Sequence, residues 1–446
     1  MKKFQFCLSI ILIISVSIIS AGEIKKEKEV KMTKLVIQNF AEDSNLEKAG
    51  AMIGDQIINY NGKNVHTVME LNDLKKSTTA AEVQIDLLRG QLLIPVKIPQ
   101  GQLGVYLKEV MPKHAIEKDA VIIEGIGKLG WGMGMENSFL AAVTLLEAKY
   151  GQKLGYNDIL GLSGYGFRLQ FFDGFCPSSP DATTGKDVGA EILKKLGYRF
   201  ETYHLKNDDW KEKDLVMKTE DELREIIIKS IDKGWAVIAI DLIEVPEWGI
   251  ITGYQKNGAE FFCRSYFDKT EGYEIAQKFP WVIFVIEDYK KADISNLYDE
   301  SFDMAKELYK TEKYGKYFSG LRGIKEWIID LQDEKAITEA EKEQFAEKKL
   351  ANWWIYYSLM EARGVTKEYL RTNLDKFGKD KKTIEDLAEL YEQEMELLYK
   401  NFQSIPSPHI PEKQSVWDKK SRENQIKILQ EFLKQEESAF ELIKKL

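Results

Sequence analysis

The stretch VIIEGIGKLGWGMGMENSFLAAV, residues 121–143, runs from an apolar segment through a glycine-rich turn into an apolar helical pattern. It can be read as a phosphate cradle, as the approach to a catalytic nucleophile, or as a turn that caps a helix. Gly125, Gly127 and Gly130 satisfy GxGxxG after the apolar run. A dinucleotide cradle needs its helix to open among those glycines, so that the helix N-terminus meets the pyrophosphate. Here Gly132 and Gly134 push the helix back to Met135 or Glu136 at the earliest. The downstream region where an acidic residue should end a second strand reads KYGQKLGYNDIL instead. The cradle reading is weak on both counts, and no cofactor is expected. In the capping reading Ser138 is the N-cap of NSFLAAVTLLEAKYG, with Asn137 as the neighbouring choice.

Outward from this stretch, KLGYNDILGLSGYGFRLQFF reads as a helix breaking into glycine turns and then a strand. VGAEILKKLGY and DELREIIIKSIDKG have helical spacing, and WAVIAIDLI, GIITGYQ, AEFFCRSYF and WVIFVIE read as four strands. Helices followed by a meander predict an α+β domain rather than a parallel βαβ alternation. Upstream, LVIQNF, the Asn61-Gly62 hairpin signal, the helical VMELNDLKKS and the paired strands of VQIDLLRGQLLIPVKIP predict a small β-rich module. Downstream of about Ala292 the apolar residues keep helical spacing, so Trp327, Trp353 and Trp354 read as core and no strand is expected. The fold class is thus α+β multidomain, with a β-rich module at 33–112, an α+β domain at 118–290 and an all-helical region at 291–446.

A chain of 446 residues is too long for one ordinary core, which agrees with several domains. The net charge of −9, with Lys and Glu interleaved, argues against a nucleic-acid partner. Residues 1–22 read as an export signal: Lys2 and Lys3, an apolar run from Phe4 to Ile19, then Ser20-Ala21-Gly22. The alternative is a retained anchor, but the run is short for a span. A charged linker follows at 23–32, and no later run is long and apolar enough to cross a bilayer. An exported protein, periplasmic, extracellular or attached to the cell envelope, is the expectation. Cys7 falls within the signal, leaving Cys176 and Cys263 either as one disulfide or as two free thiols. The four histidines stand far apart and no zinc spacing exists, so no metal site is expected.

Residues 44–65 carry Ser44, Leu46-Glu47-Lys48-Ala49-Gly50, Gly54-Asp55-Gln56-Ile57-Ile58 and Asn61-Gly62. This pattern resembles bacterial PDZ domains. The glycine-containing loop that would hold a peptide carboxylate comes last, as Gly101-Gln102-Leu103-Gly104-Val105, in the manner of a circularly permuted member. The resemblance implies a peptide or protein C-terminus as partner, held by Leu103, Gly104, Val105, Tyr106 and Leu107 on one side and by Leu71 and Lys75 on the other. In such loops successive backbone N–H groups converge on the carboxylate while the next strand offers its edge. The bland alternative is a module that only spaces the chain.

The second unit resembles the papain-like fold of bacteriocin-processing peptidases and of the N-terminal domain of the butirosin-biosynthesis acyltransferase. There a Cys precedes two alanines and a helix ending in Tyr-Gly, and a later strand begins with His before an apolar run and Thr-Gly-Tyr. In this sequence Ser138 falls at the Cys position, with Ala141 and Ala142 following. Glu247 falls at the His position in EWGIITGY, and Arg264 or Ser265 falls where the partner orienting that His would lie. The resemblance therefore implies a catalytically degenerate domain. An opposing reading is a thiol hydrolase or acyltransferase using Cys176, whose neighbour Pro177 could open a helix, with His204 as base. Another keeps a cleft without chemistry, where Glu136, Arg168, Asp173, Glu247, Trp248 and Arg264 hold a small polar ligand. A purely structural assembly module is the remaining possibility. The expected function is recognition, through a peptide groove joined to a silent peptidase-like domain.

Overall fold

Two hydrophobic cores organise the molecule, one inside the N-terminal unit and one running from Ile123 to Leu446. The computed structural model describes residues 34–89, 92–110, 116–207, 215–268, 272–338, 342–409 and 416–446. The export signal and charged linker expected at 1–32 lie outside the described residues.

The N-terminal unit contains β1 (Lys34–Phe40), α1 (Asn45–Lys48), β2 (Gln56–Tyr60), β3 (Lys63–Asn64), α2 (Val68–Ser77), β4 (Glu82–Arg89), β5 (Leu92–Pro99) and β6 (Val105–Val110). Its strands follow the order β5-β4-β2-β1-β6, with β3 paired to β2. The β2–β3 hairpin turns on Asn61 and Gly62, both at positive φ, which that tight turn requires. Buried Asp55 receives Arg89 Nε and Nη2 at 2.8 Å each, fixing the turn before β2. Helix α2 starts where Thr67 accepts the Glu70 N–H, a side-chain cap.

The central unit opens with β7 (Val121–Ile122), α3 (Ser138–Tyr150), α4 (Tyr156–Leu162) and β8 (Gln170–Phe172). Then come α5 (Val188–Leu196), β9 (Tyr198–Leu205), β10 (Met217–Lys218) and α6 (Glu220–Asp232). It closes with β11 (Val237–Ile240), β12 (Trp248–Gln255), β13 (Glu260–Arg264), β14 (Glu274–Ile275) and β15 (Val282–Tyr289). The sheet order is β10-β9-β15-β11-β12-β13-β14, with β7 on β12. Strands β11, β12 and β13 follow in the expected meander order and the unanticipated β14 extends it, whereas β15, expected as the fourth strand of the meander, returns to lie between β9 and β11. Helix α3 is buried from Ser138 to Ala148, so it has no polar face and forms the centre of the core.

The C-terminal region is helical: α7 (Leu297–Lys310), α8 (Gly320–Gln332), α9 (Glu334–Thr338), α10 (Lys342–Thr372), α11 (Lys381–Asn401) and α12 (Lys419–Ile443). One detail departs from the sequence reading. A short hairpin, β16 (Lys313–Tyr314) and β17 (Tyr317–Ser319), pairs through β17 with β8 of the central unit. Because the second core is continuous across residue 290, the helical region and the central sheet share one interior. None of the described helices is long and apolar enough to cross a membrane.

Gly125 marks where the two cores meet. A Cβ there would stand 2.8 Å from Ile58 Cδ1 and 3.4 Å from Leu93 Cδ1, both from the N-terminal unit. The first glycine of the apparent GxGxxG is therefore occupied by packing between units.

Candidate functional site

Two places bring predicted residues together. The first lies at the start of α3. Asn137, not Ser138, is the N-cap: its Oδ1 accepts the Leu140 N–H at 3.0 Å. Its Nδ2 donates to the Pro180 carbonyl at 3.1 Å, and its own N–H donates to the Tyr156 hydroxyl at 2.9 Å. The correction follows from geometry, since the residue one earlier points its side chain back at the free N–H groups. Ser138 is thereby the first helical residue. Its hydroxyl donates to Glu247 Oε2 at 2.5 Å and accepts the Trp248 N–H at 3.2 Å. The ring N–H of Trp248 donates to Asp181 Oδ2 at 2.8 Å.

Thus the two positions matched to a peptidase nucleophile and base are in direct contact, at the N-terminus of a buried helix and the start of a central strand. The chemistry they carry differs. Burial pushes the Glu247 carboxyl up to about 7, and the nearby Asp181 charge adds to this, while the Ser138 hydroxyl opposes it. Ser138 is only 5% exposed and Trp248 3%, while Glu247 is half-buried. The pair reads as a hydrogen-bonded clasp.

Truncating it should be costly. Ser138→Ala removes the donor to Glu247 and the acceptor for the Trp248 N–H, and should lower stability by about 1–3 kcal/mol in urea denaturation. A folded-state carboxyl held near 7, against 4.5 for its ordinary value, contributes fully below about 4.5 and loses that contribution as pH rises to about 7. Glu247→Gln should flatten the fall in melting temperature across that window.

The other cleft candidates are spread out. Arg168 is buried and donates to the carbonyls of Ser179 at 3.0 Å, Asp181 at 2.5 Å and Lys186 at 3.3 Å, anchoring the 176–187 loop. Arg264 is buried against the Tyr273 ring and donates to the carbonyls of Ile126 and Gly272 and to Asp268. Both guanidiniums are committed to the fold, which corrects their reading as ligand contacts. Asp173 is exposed in the turn after β8, where its charge acts on Asp330 of α8 instead. Glu136 stays beside the clasp, its Oε1 accepting the Gly132 N–H at 2.9 Å.

Cys176 follows β8 in a run of turns, and no helix opens at Pro177. Its sulfur lies 2.9 Å from Ser178 Oγ, which is 2.9 Å from the Tyr317 hydroxyl. His204 lies on β9, paired with Met217 and Val282, three strands from β12. That separation is roughly 14 Å across the sheet, so His204 is remote from the Ser138 clasp. Cys176 and Cys263 are both free thiols, with Cys263 fully buried on β13.

The second place is in the N-terminal unit. Among the described residues β6 ends its sheet, paired only with β1, so its other edge is open. Helix α2 runs alongside it in the opposite direction. The Val68 N–H at the helix start donates to Glu109 Oε1 at 2.8 Å, and Gln100, before β6, reaches the Lys75 carbonyl at 3.4 Å. Leu71, Leu103, Val105 and Leu107 belong to one apolar cluster between helix and strand. Strand alternation turns Tyr106 the other way, 61% exposed, which corrects its placement in the groove. Lys75 is half-buried near the end of α2 that meets the 100–104 loop.

That loop is held from behind. Its carbonyls point inward: Leu103 accepts from the Leu46 N–H at 3.1 Å and Gly104 from the Ala41 N–H at 2.9 Å, while Ser44 Oγ also donates to Leu103. Gly104 sits at φ +74°, and a Cβ on it would lie 2.5 Å from Ser44 Cα. Among the described residues, the N–H groups of Gln102, Leu103 and Gly104 have no acceptor.

No protein-family model matches this sequence, and no curated protein matches it.

Asp181, Tyr156 and Glu361 were not anticipated as part of the α3 site. The sequence PDATTG does carry a signal for Asp181, because an Asp two residues before Thr favours a local turn. Its Oδ1 accepts the Thr183 N–H at 2.7 Å, leaving Oδ2 for Trp248. Tyr156 and Glu361 sit in ordinary helical patterns and give no such signal.

Proposed function

We propose that this protein is an exported recognition protein whose N-terminal unit captures the free C-terminal end of a peptide or protein, joined to a peptidase-like domain that has lost its chemistry. The observation that carries the reading is the set of three successive backbone N–H groups, Gln102 to Gly104, without acceptors at the mouth of a groove between β6 and α2. Converging backbone N–H groups suit a carboxylate, which supplies several lone pairs to them at once. The Lys75 cation lies on the same side of the groove and adds charge complementarity. The open edge of β6 offers its backbone to an extended chain, while Leu71, Leu103, Val105 and Leu107 take apolar side chains. Together these features favour a ligand ending in an apolar residue with a free carboxylate. The PDZ resemblance points the same way.

For the central unit, the Ser138–Glu247 contact supports descent from a nucleophile-base pair and its replacement by a clasp. The test is to pan the protein against peptides with randomised C-terminal residues. The expected pool ends in Val, Leu, Ile or Phe. A pool with no terminal preference would remove the reading.

A further inference from the structure

We propose that Glu109 reads a basic side chain four places before the end of the captured peptide, so that the groove selects ligands with Lys or Arg there as well as an apolar C-terminal residue. This inference rests on the capture of a free C-terminus by the Gln102–Gly104 loop, and it narrows the class of ligand that the loop would hold.

The position follows from strand geometry. A chain whose terminal carboxylate meets the 102–104 loop lies along the open edge of β6 with its last residue toward Val105, and so runs antiparallel to that strand. Residues directly opposite one another in an antiparallel pair point to the same face. With the terminal residue opposite Val105, the residue two places earlier stands opposite Leu107, and the one four places earlier opposite Glu109. Val105, Leu107 and Glu109 alternate with Tyr106 and Lys108, so the three share the face turned toward α2. Val105 and Leu107 pack in the apolar cluster that includes Leu71. Glu109 is where that apolar lining ends and a charge begins, roughly 13 Å along the strand from Val105.

The side chain is held in place there. Its Oε1 accepts the Val68 N–H at 2.8 Å, a bond that spans the groove from strand to helix start. A carboxylate has a second oxygen to offer a ligand. Glu109 is exposed, and among the described residues no Lys or Arg forms an ion pair with it. Strand alternation turns the neighbouring Lys108 to the other face. Glu70, in the first turn of α2, has its Oε2 on the His66 N–H at 2.8 Å. At the opposite end of the groove, Lys75 and Lys76 occupy the last turn of α2. The groove is thus positive where the carboxylate enters and negative where the chain leaves. A peptide with a carboxylate at its end and a cation four places earlier complements both ends, whereas an acid at that place would face Glu109.

The experiment titrates three fluorescent peptides into the full chain. They share one apolar C-terminal residue with a free carboxylate and differ only in Lys, Ala or Glu four places before the end. The Lys peptide should bind about threefold to tenfold more tightly than the Glu peptide, the scale of one exposed ion pair gained and one like-charge contact avoided. At about 1 M salt, where charges are screened beyond about 3 Å, the ratio should fall toward one. It should also fall toward one in Glu109→Gln, which keeps an oxygen acceptor for the Val68 N–H, and should invert in Glu109→Lys. Equal affinities for the Lys and Glu peptides, with both bound, would overturn this inference and leave carboxylate capture standing. A Lys preference that persists in a folded Glu109→Gln variant would overturn it as well, because the cation is then read elsewhere. If none of the three peptides binds, the capture reading itself fails and this inference with it. Should the Glu109 variants fold poorly, moving the Lys one place along the peptide decides the matter in the unaltered protein. There the side chain turns to the other face and should lose its advantage; an undiminished advantage would overturn the proposal.

Discussion

Replacing Arg363 with alanine should lower the stability of the α7–α12 region and the sheet beneath it by about 3–5 kcal/mol, the usual cost of breaking a buried ion pair. Arg363, Glu394 and Glu436 are each fully buried, on α10, α11 and α12. Arg363 Nε donates to Glu436 at 2.6 Å and to Glu394 at 3.1 Å, and its Nη1 donates to the Gly166 carbonyl in the central unit. Two carboxyls share one cation, and burial pushes Glu394 well above its ordinary value, with the Glu436 charge adding to this and Arg363 opposing it. Removing the guanidinium leaves the buried Glu394 and Glu436 carboxyls without their cation and the Gly166 carbonyl without its donor. Replacing all three residues with apolar ones of similar volume should recover most of the loss, because no charge remains to be desolvated. Urea denaturation of both variants checks this. A loss below about 1 kcal/mol for the single variant would mean that apolar packing alone fastens these helices.

The second large effect concerns the groove. Gly104→Val should weaken binding of a C-terminal peptide at least tenfold, or about 1.4 kcal/mol. A side chain here meets the Ser44 main chain and is also strained at φ +74°. The 101–104 loop must shift, and the N–H groups of Gln102 to Gly104 shift with it. Tyr106→Ala serves as the control, since Tyr106 faces away and its loss should change affinity less than threefold. Titration of a fluorescent peptide into each variant reads both, with melting curves to confirm that the N-terminal unit remains folded.

Much of the N-terminal unit was legible because its signals are local. Asn61-Gly62 gave the hairpin, and the helical spacing of VMELNDLKKS gave all of α2. The four central strands were legible for a different reason, being continuous apolar runs bounded by turns. Strand β9 was not, because YRFETYHL interleaves charged and aromatic residues and only Tyr198 of it is buried. Nor was the hairpin at 313–319, whose pairing with β8 depends on a partner far away in the chain. At the α3 site, Ser138 and Glu247 were found through a family pattern, but their role depended on contact geometry. One position of error in the cap changed Ser138 from a capping residue into the donor of a clasp. Arg168 and Arg264 misled because a guanidinium serving loop carbonyls looks the same in sequence as one serving a ligand.

The most direct test compares one selected peptide carrying a free C-terminal carboxylate with the same peptide ending in an amide, by calorimetry on the protein. Hydrogen bonds to a charged group contribute about 1.5–3 kcal/mol, so the amide should bind roughly tenfold to a hundredfold more weakly. Equal affinity for the two forms would contradict carboxylate capture by the Gln102–Gly104 loop, and with it the proposed function of the N-terminal unit.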